Sequence, residues 1–235
     1  MRWVIGYTAA ICVLLLIIAQ SIFIPTFHML PYFRWHYERH NVPENIGMEK
    51  EELMYVTGEL LDYMRGRRSD LIVYANFNGE VRSFFSDRDI RHMEDVYELY
   101  AGGFIIRNIA FWMLLLLILI MAYFKIPILE VLSRCCREVL VLFLILLGIL
   151  AAIIAWDWDR AFVVFHELFF NNMYWILTPG TDPLIDMVGH PFFLYISIII
   201  AGLLLLFGGV IILASTLYLR AIRPGSGVRI VARFR

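Results

Sequence analysis

Residues 156–193 read WDWDRAFVVFHELFFNNMYWILTPGTDPLIDMVGHPFF. The stretch is too polar to span a bilayer and too aromatic for an ordinary loop, and an apolar run flanks it on each side. It therefore meets the membrane at both ends. Trp156, Trp158, Tyr174 and Trp175 are of the type that settles at the headgroup level, ring half in lipid and N–H or O–H toward water. The reading is an interfacial segment. At helical spacing His166 shares a face with Phe162, Phe169 and Phe170, which sets an ionisable group against an apolar wall.

Working outward, the whole chain has 235 residues, 61% of them hydrophobic, and a mean hydropathy of +0.73. That composition excludes an ordinary soluble domain. Four runs reach the roughly 20 residues that a bilayer core of about 30 Å requires. The expected fold class is a mainly α integral membrane protein, with four transmembrane helices and a small α+β extracytoplasmic cap. The expected order is a span over 1–25, the cap over 26–104, a span over 105–124 and a cytoplasmic loop over 125–138. A span over 139–155, the interfacial segment over 156–191, a span over 192–219 and a basic tail over 220–235 follow. The first run lacks a small-x-small cleavage site and reads as a retained helix.

Short basic flanks set the orientation. Arg2, the loop with Lys125, Arg134 and Arg137, and the tail with Arg220, Arg223, Arg229, Arg233 and Arg235 fall on one side. The loop after the third span has Arg160 against Asp157, Asp159, Glu167, Asp182 and Asp186. Both termini are thus expected in the cytoplasm and two loops outside. Cys12, Cys135 and Cys136 fall in the first span and the cytoplasmic turn, so no disulfide is expected outside. A net charge of −1 carries no suggestion of nucleic acid.

Within the cap, Leu53, Val56, Leu60 and Met64 recur at helical spacing and predict an amphipathic helix. DLIVYANFNGEVRSFFS places Asn78-Gly79 between two β-rich arms and predicts a hairpin. Ser86, followed three residues later by Asp89, is a capping-box-like start for a helix DRDIRHMEDVYELY. That helix holds His92 between Asp89 and Asp95, and Gly102-Gly103 is expected to end it before the second span. Arg107 and Asn108, at the start of that span, are expected to snorkel to the interface.

Six histidines, at 28, 36, 40, 92, 166 and 190, are the candidates for acid–base work. His36 and His40 have a metal-binding interval, but Glu38 is misplaced for HExxH and Pro31 and Pro43 limit the helix. No GxSxG elbow occurs, so any acyl chemistry takes its nucleophile from the substrate. Asp157, Asp159, Asp182 and Asp186 form a carboxylate set of the kind that usually caps helices and turns.

FHELFFNNMYWILTPGTDPLIDMVGHPFF resembles the signature of the bacterial lipoprotein intramolecular transacylases, a four-span membrane family once described only as an uncharacterised domain. That family's pattern is roughly His-x-Leu-Phe-Phe-x-Asn-Asp-x-Trp, then Asp-Pro-x-x-Asp, then Pro-Glu-x-Phe-Phe. A second family motif, a short helix before the second span, is matched by His92-Met93-Glu94-Asp95-Val96. Met173 stands where the family has Asp, Thr178 precedes Pro179 where the family has Asp-Pro, and Gly189-His190 replaces Pro-Glu.

The resemblance implies a membrane acyltransferase that moves the sn-2 ester-linked chain of a diacylglyceryl-cysteine lipoprotein to the α-amino group of the same cysteine. The product is the lyso-form, N-acyl lipoprotein. It implies His92 and His166 as the catalytic pair, without saying which is base and which acid. Asp95 either orients His92 or belongs to a solvated helix face, and Asn172, Trp175 and Asp182 are supporting or substrate-binding residues. The partners would be the diacylated lipoprotein and membrane lipids, with no nucleic acid, nucleotide, metal or other cofactor. A competing class is a non-catalytic membrane sensor or assembly partner with an extracytoplasmic binding cap. A third, a metal-dependent membrane hydrolase, would need His36 and His40.

Overall fold

The computed structural model describes residues 1–222; the arginines expected to mark the tail at 223, 229, 233 and 235 lie outside the described residues. Among the described residues the fold is mainly helical, with four helices long and apolar enough to cross a membrane and one two-stranded hairpin. The four are α1 (Arg2–His28), α5 (Asp87–Tyr123), α6 (Ile128–Trp156) and α9 (His190–Ala221). Between α1 and α5 come α2 (Leu30–His40), α3 (Val42–Ile46), α4 (Lys50–Met64), β1 (Tyr74–Phe77) and β2 (Glu80–Ser83). Between α6 and α9 come α7 (Trp158–Phe169) and α8 (Pro183–Met187).

The chain divides into two compact units. Within the described residues the first comprises Met1–Ser21, Ile106–Trp156 and 201–222. Leu142, Ile145, Leu146, Ile149 and Ile153 of α6 are all exposed, as side chains facing hydrocarbon should be. Within this unit Tyr7 donates a 2.6 Å hydrogen bond to Glu138 Oε2, and the Trp3 ring lies against both Arg2 and Arg134.

The second unit comprises Ile22–Ile105 and Asp157–Ile200. Its core is the inner face of α4, where Leu53, Val56, Leu60 and Met64 are buried as their spacing predicts. Tyr37, Val42, Leu71, Val73, Ala75, Phe77 and Phe84 are buried in the same unit, and the Tyr37 and Thr57 hydroxyls meet at 2.8 Å. The hairpin turns on Asn78 and Gly79 at φ 50° and 96°, the left-handed geometry that an Asn-Gly pair accepts most readily. Its register pairs Tyr74 with Ser83 and Phe77 with Glu80, so Ala75 and Phe77 point inward while Tyr74 and Asn76 stay exposed.

Two expectations are corrected. Gly102-Gly103 does not end a helix: α5 runs for 37 residues, about 55 Å at 1.5 Å per residue. Neither glycine adopts the positive φ that a helix-terminating glycine needs. Gly103 instead admits the Phe23 ring, whose Cζ would lie 3.2 Å from an added Cβ. Likewise residues 128–138 are the first turns of α6 rather than a loop, because Glu130, Arg134 and Arg137 interrupt hydropathy without interrupting helix propensity. Only residues 124–127 separate α5 from α6.

Not all of α5 is apolar enough to span. No 18-residue window of it with two or fewer charges begins before Val96, so its first turns, with Asp89 and His92, precede the membrane-spanning part.

Candidate active site

Ser86 and Asp89 form the start of α5 reciprocally. Asp89 Oδ2 accepts the Ser86 N–H at 3.0 Å, and the Ser86 hydroxyl accepts the Asp89 N–H at 3.1 Å. One turn on, His92 is 8% exposed. The helix α7 starts in a similar way, with Asp157 Oδ1 accepting the Arg160 N–H at 3.0 Å. Its faces are unlike: Val164 and Leu168 are exposed, whereas His166 is 6% exposed and is the buried member of the helix.

The two histidines converge within the second unit, their ring centroids 5.9 Å apart. No hydrogen bond joins them, and the ring planes are tilted 39° to one another. His166 is held by aromatic neighbours: Phe162 at 4.2 Å, Phe165 at 5.4 Å, Phe170 at 5.6 Å and Trp175 stacked at 4.8 Å. Phe170 also meets His92 edge-on at 5.3 Å, and Phe193 extends the wall behind Phe162.

Ring geometry fixes the tautomer of His166. Its Nδ1 lies 2.7 Å from the Phe162 carbonyl oxygen, which can only accept, so Nδ1 carries the proton and Nε2 the lone pair. In His92 the Nδ1 is sealed and has no partner. A sealed, unpaired N–H is costlier than a sealed lone pair, which favours the proton on Nε2. The pair then presents one acceptor and one donor.

Burial holds both rings neutral. The His92 pKa falls to about 4, chiefly from burial and next from the neighbouring His166, with the Asp95 charge opposing. Burial also lowers that of His166, opposed by the Phe162 carbonyl. Near neutral pH neither imidazole is charged.

Asp95 Oδ2 accepts a 2.9 Å hydrogen bond from Asn172 Nδ2, and Asn172 Oδ1 in turn accepts the Tyr174 N–H at 3.0 Å. Asp95 thus hydrogen-bonds the segment after α7, while it acts on His92 through its charge. Trp175 stacks on His166, and Asp182, 4% exposed, accepts from Ser86 Oγ at 2.7 Å and from the Thr178 N–H at 2.8 Å. Phe192 turns away to Tyr32, Phe33 and His36. His36 and His40 pack 4.8 Å apart, and among the described residues no group of three or more His, Cys, Asp or Glu could hold a metal ion. His190 pairs with Asp159 at 3.1 Å.

Asp89 reads from sequence as a helix cap, and the structure shows a depth that this reading misses: it is 0% exposed and also accepts the Leu184 N–H at 3.4 Å. The capping spacing is visible in the sequence; the partner 95 residues away is not.

Four candidate membrane helices, with helices and a hairpin between them, define a multi-pass integral membrane protein. The family model "Lipoprotein intramolecular transacylase Lit" matches residues 7–193, and the chain belongs to that family of membrane acyltransferases. A solved lipoprotein intramolecular transacylase from Bacillus cereus is similar at a TM-score of 0.75 and 19% identity, over 94% of this chain and 96% of that one. Two further structures of the Bacillus cereus protein, one with a histidine replaced by alanine and one by arginine, match at a TM-score of 0.70 and 18% identity. Both cover 94% of this chain, and 94% and 92% of their own. These likenesses establish the shared fold. No curated protein matches the chain.

Proposed function

We propose that this protein transfers the sn-2 acyl chain of a diacylglyceryl-cysteine lipoprotein to the α-amino group of the same cysteine, with His166 as base and His92 as donor. The family supplies the lipoprotein as substrate class. The observation that carries the assignment of roles is the His166 Nδ1 contact to the Phe162 carbonyl, which leaves Nε2 as a lone pair.

The neutral α-amine attacks the ester carbonyl carbon, forming a C–N bond and a tetrahedral oxyanion. Its nitrogen becomes acidic as the bond forms and gives a proton to His166 Nε2. His92 Nε2–H donates a hydrogen bond to the oxyanion, and protonated His166 returns its proton to the departing glyceryl oxygen as the C–O bond breaks. Amide, free hydroxyl and two neutral rings result, with no proton transfer between the rings. Ester to amide conversion is downhill, so the chemistry balances without nucleotide, metal or oxidant.

Because amine and ester belong to one molecule, most of the task is holding them together. Well-oriented geometry of this kind is worth about 7 to 11 kcal/mol. Phe162, Phe165, Phe170 and Trp175 offer apolar surface for the chains beside the imidazoles. The charge asymmetry of the short loops supports both termini in the cytoplasm and the histidines at the outer leaflet of a bacterial cell membrane.

The test is fragmentation mass spectrometry of a lipoprotein's N-terminal lipopeptide from a bacterium that makes only diacylglyceryl anchors, with and without this protein. Total mass does not change, so the fragments decide. An acyl group on the cysteine nitrogen supports the reading; an unaltered anchor, with the protein present in the membrane, removes it.

A further inference from the structure

We infer that Asp89 is a positioning residue: with Ser86 and Asp182 it latches the segment 178–184 to the first turn of α5, and so fixes where His92 stands relative to Trp175 and His166. The inference rests on the function proposed above.

A helix start needs only one of the bonds that Asp89 makes. The reciprocal pair with Ser86 satisfies the cap, and an exposed carboxylate would serve it equally. Asp89 is instead fully sealed, and the oxygen that caps the helix also accepts the Leu184 N–H. Ser86 Oγ accepts from Asp89 N–H and donates to Asp182 Oδ1, whose other oxygen holds the Thr178 N–H. Two buried carboxyls from distant segments therefore meet at Ser86, Asp182 through its hydroxyl and Asp89 through its backbone N–H. Burying them is costly unless their bonds are kept, which makes the arrangement all-or-none.

What the latch secures is the irregular segment that carries Trp175. That segment is tied to α5 at Arg88, whose Nη1 donates to the Ile176 carbonyl at 2.7 Å, and again at the Asp95–Asn172 bond. Ties about two turns apart on α5 thus hold it on either side of His92. Asp89 Oδ1 and His92 Nδ1 are both sealed and unpartnered, three residues apart on one helix face. Burial pushes the Asp89 carboxyl up to about 6, with its hydrogen bonds opposing, so it is mostly ionised at neutral pH.

Asp89→Asn keeps an acceptor oxygen for Ser86 and Leu184, whereas Asp89→Ala removes it. With the full-length protein in nanodiscs and a synthetic diacylglyceryl lipopeptide at pH 7, Asp89→Ala should lower kcat by roughly ten- to a hundredfold, the size expected of a misplacement near 1 Å. KM should change little, because the apolar walls remain. Asp89→Asn should restore kcat to within about threefold of the parent. Hydrogen exchange of the peptide containing Thr178 and Leu184 should quicken in Asp89→Ala and not in Asp89→Asn.

Unchanged exchange in Asp89→Ala means there is no latch. Faster exchange with parental kcat means the latch positions nothing, and equal kcat losses in the Asn and Ala variants contradict the acceptor role. Each of these overturns the inference. If Asp89→Ala does not fold, Ser86→Ala, which removes only the shared hydroxyl, must show the same kcat loss and faster exchange at Thr178; parental values for both overturn it. A parent protein that yields no N-acyl product instead refutes the function, and the exchange data then judge the latch separately.

Discussion

Replacing Asn172 by alanine removes the bond that ties the segment after α7 to the charged Asp95, at 2.9 Å. A hydrogen bond to a charged group contributes about 1.5 to 3 kcal/mol. Both residues are half-buried, so solvent competes and the lower end applies. The second bond lost, from the Tyr174 N–H, adds little, because that exposed residue turns to water. The expected loss is about 1.5 kcal/mol, or roughly 3 to 6 °C in Tm at 2 to 4 °C per kcal/mol. The assay is thermal unfolding in a mild detergent, run as a double-mutant cycle with Asp95→Ala. A coupling of about 1 kcal/mol or more is expected, since each single variant already breaks the same bond. Additive losses, with coupling below about 0.3 kcal/mol, would refute the claim that Asp95 and Asn172 act as a pair.

Removing His166 by His166→Gln should reduce N-acyl product by about 10²- to 10⁴-fold with the protein still inserted, as product mass spectrometry beside a membrane blot would show. Leu53→Ala, at a 0% exposed core position, should cost about 2 to 5 kcal/mol, read as a fall in Tm. Acidification should destabilise through His36 and His92, whose pKa values fall to about 4 in the fold by burial. The unfolded chain binds more protons than the folded one between about pH 6.5 and 4, so their stabilisation is complete above that window and is lost as pH falls through it. Asp89, raised to about 6, acts in the opposite sense. Asp89→Asn should therefore show a steeper fall in Tm from pH 6.5 to 4 than the parent; an identical slope would contradict the opposed titrations.

Elements whose cause is local were legible in the sequence. The Asn78-Gly79 turn, the Leu53-Val56-Leu60-Met64 face and the Ser86–Asp89 cap all rest on residues within a few positions of one another. The Gly-Gly pair misled because glycine is a stop only where the backbone turns left-handed. Here tertiary packing of Phe23 against Gly103 keeps the helix running. The helical start of α6 was hidden for a related reason, since hydropathy marks where a membrane begins and not where a helix begins.

His92 and His166 could be named from motifs, but their approach to 5.9 Å depends on how α5 and α7 pack, which no local spacing encodes. The same holds for Asp95 with Asn172, 77 residues apart, and for Asp89 with Leu184. Distance in sequence also hid the tautomer question. The His166 contact is a helical i, i−4 carbonyl bond, yet it acquires chemical meaning only once His92 is seen opposite.

The central claim is transfer within one molecule at the histidine pair. The purified protein should be given two diacylglyceryl lipopeptides together, distinguishable by peptide mass, one with deuterated acyl chains and one without. The account predicts N-acyl products in which every deuterated acyl group stays with its own peptide, and no product with His166→Gln. Deuterated acyl groups on the other peptide's cysteine nitrogen, or product formation undiminished in His166→Gln, would contradict it.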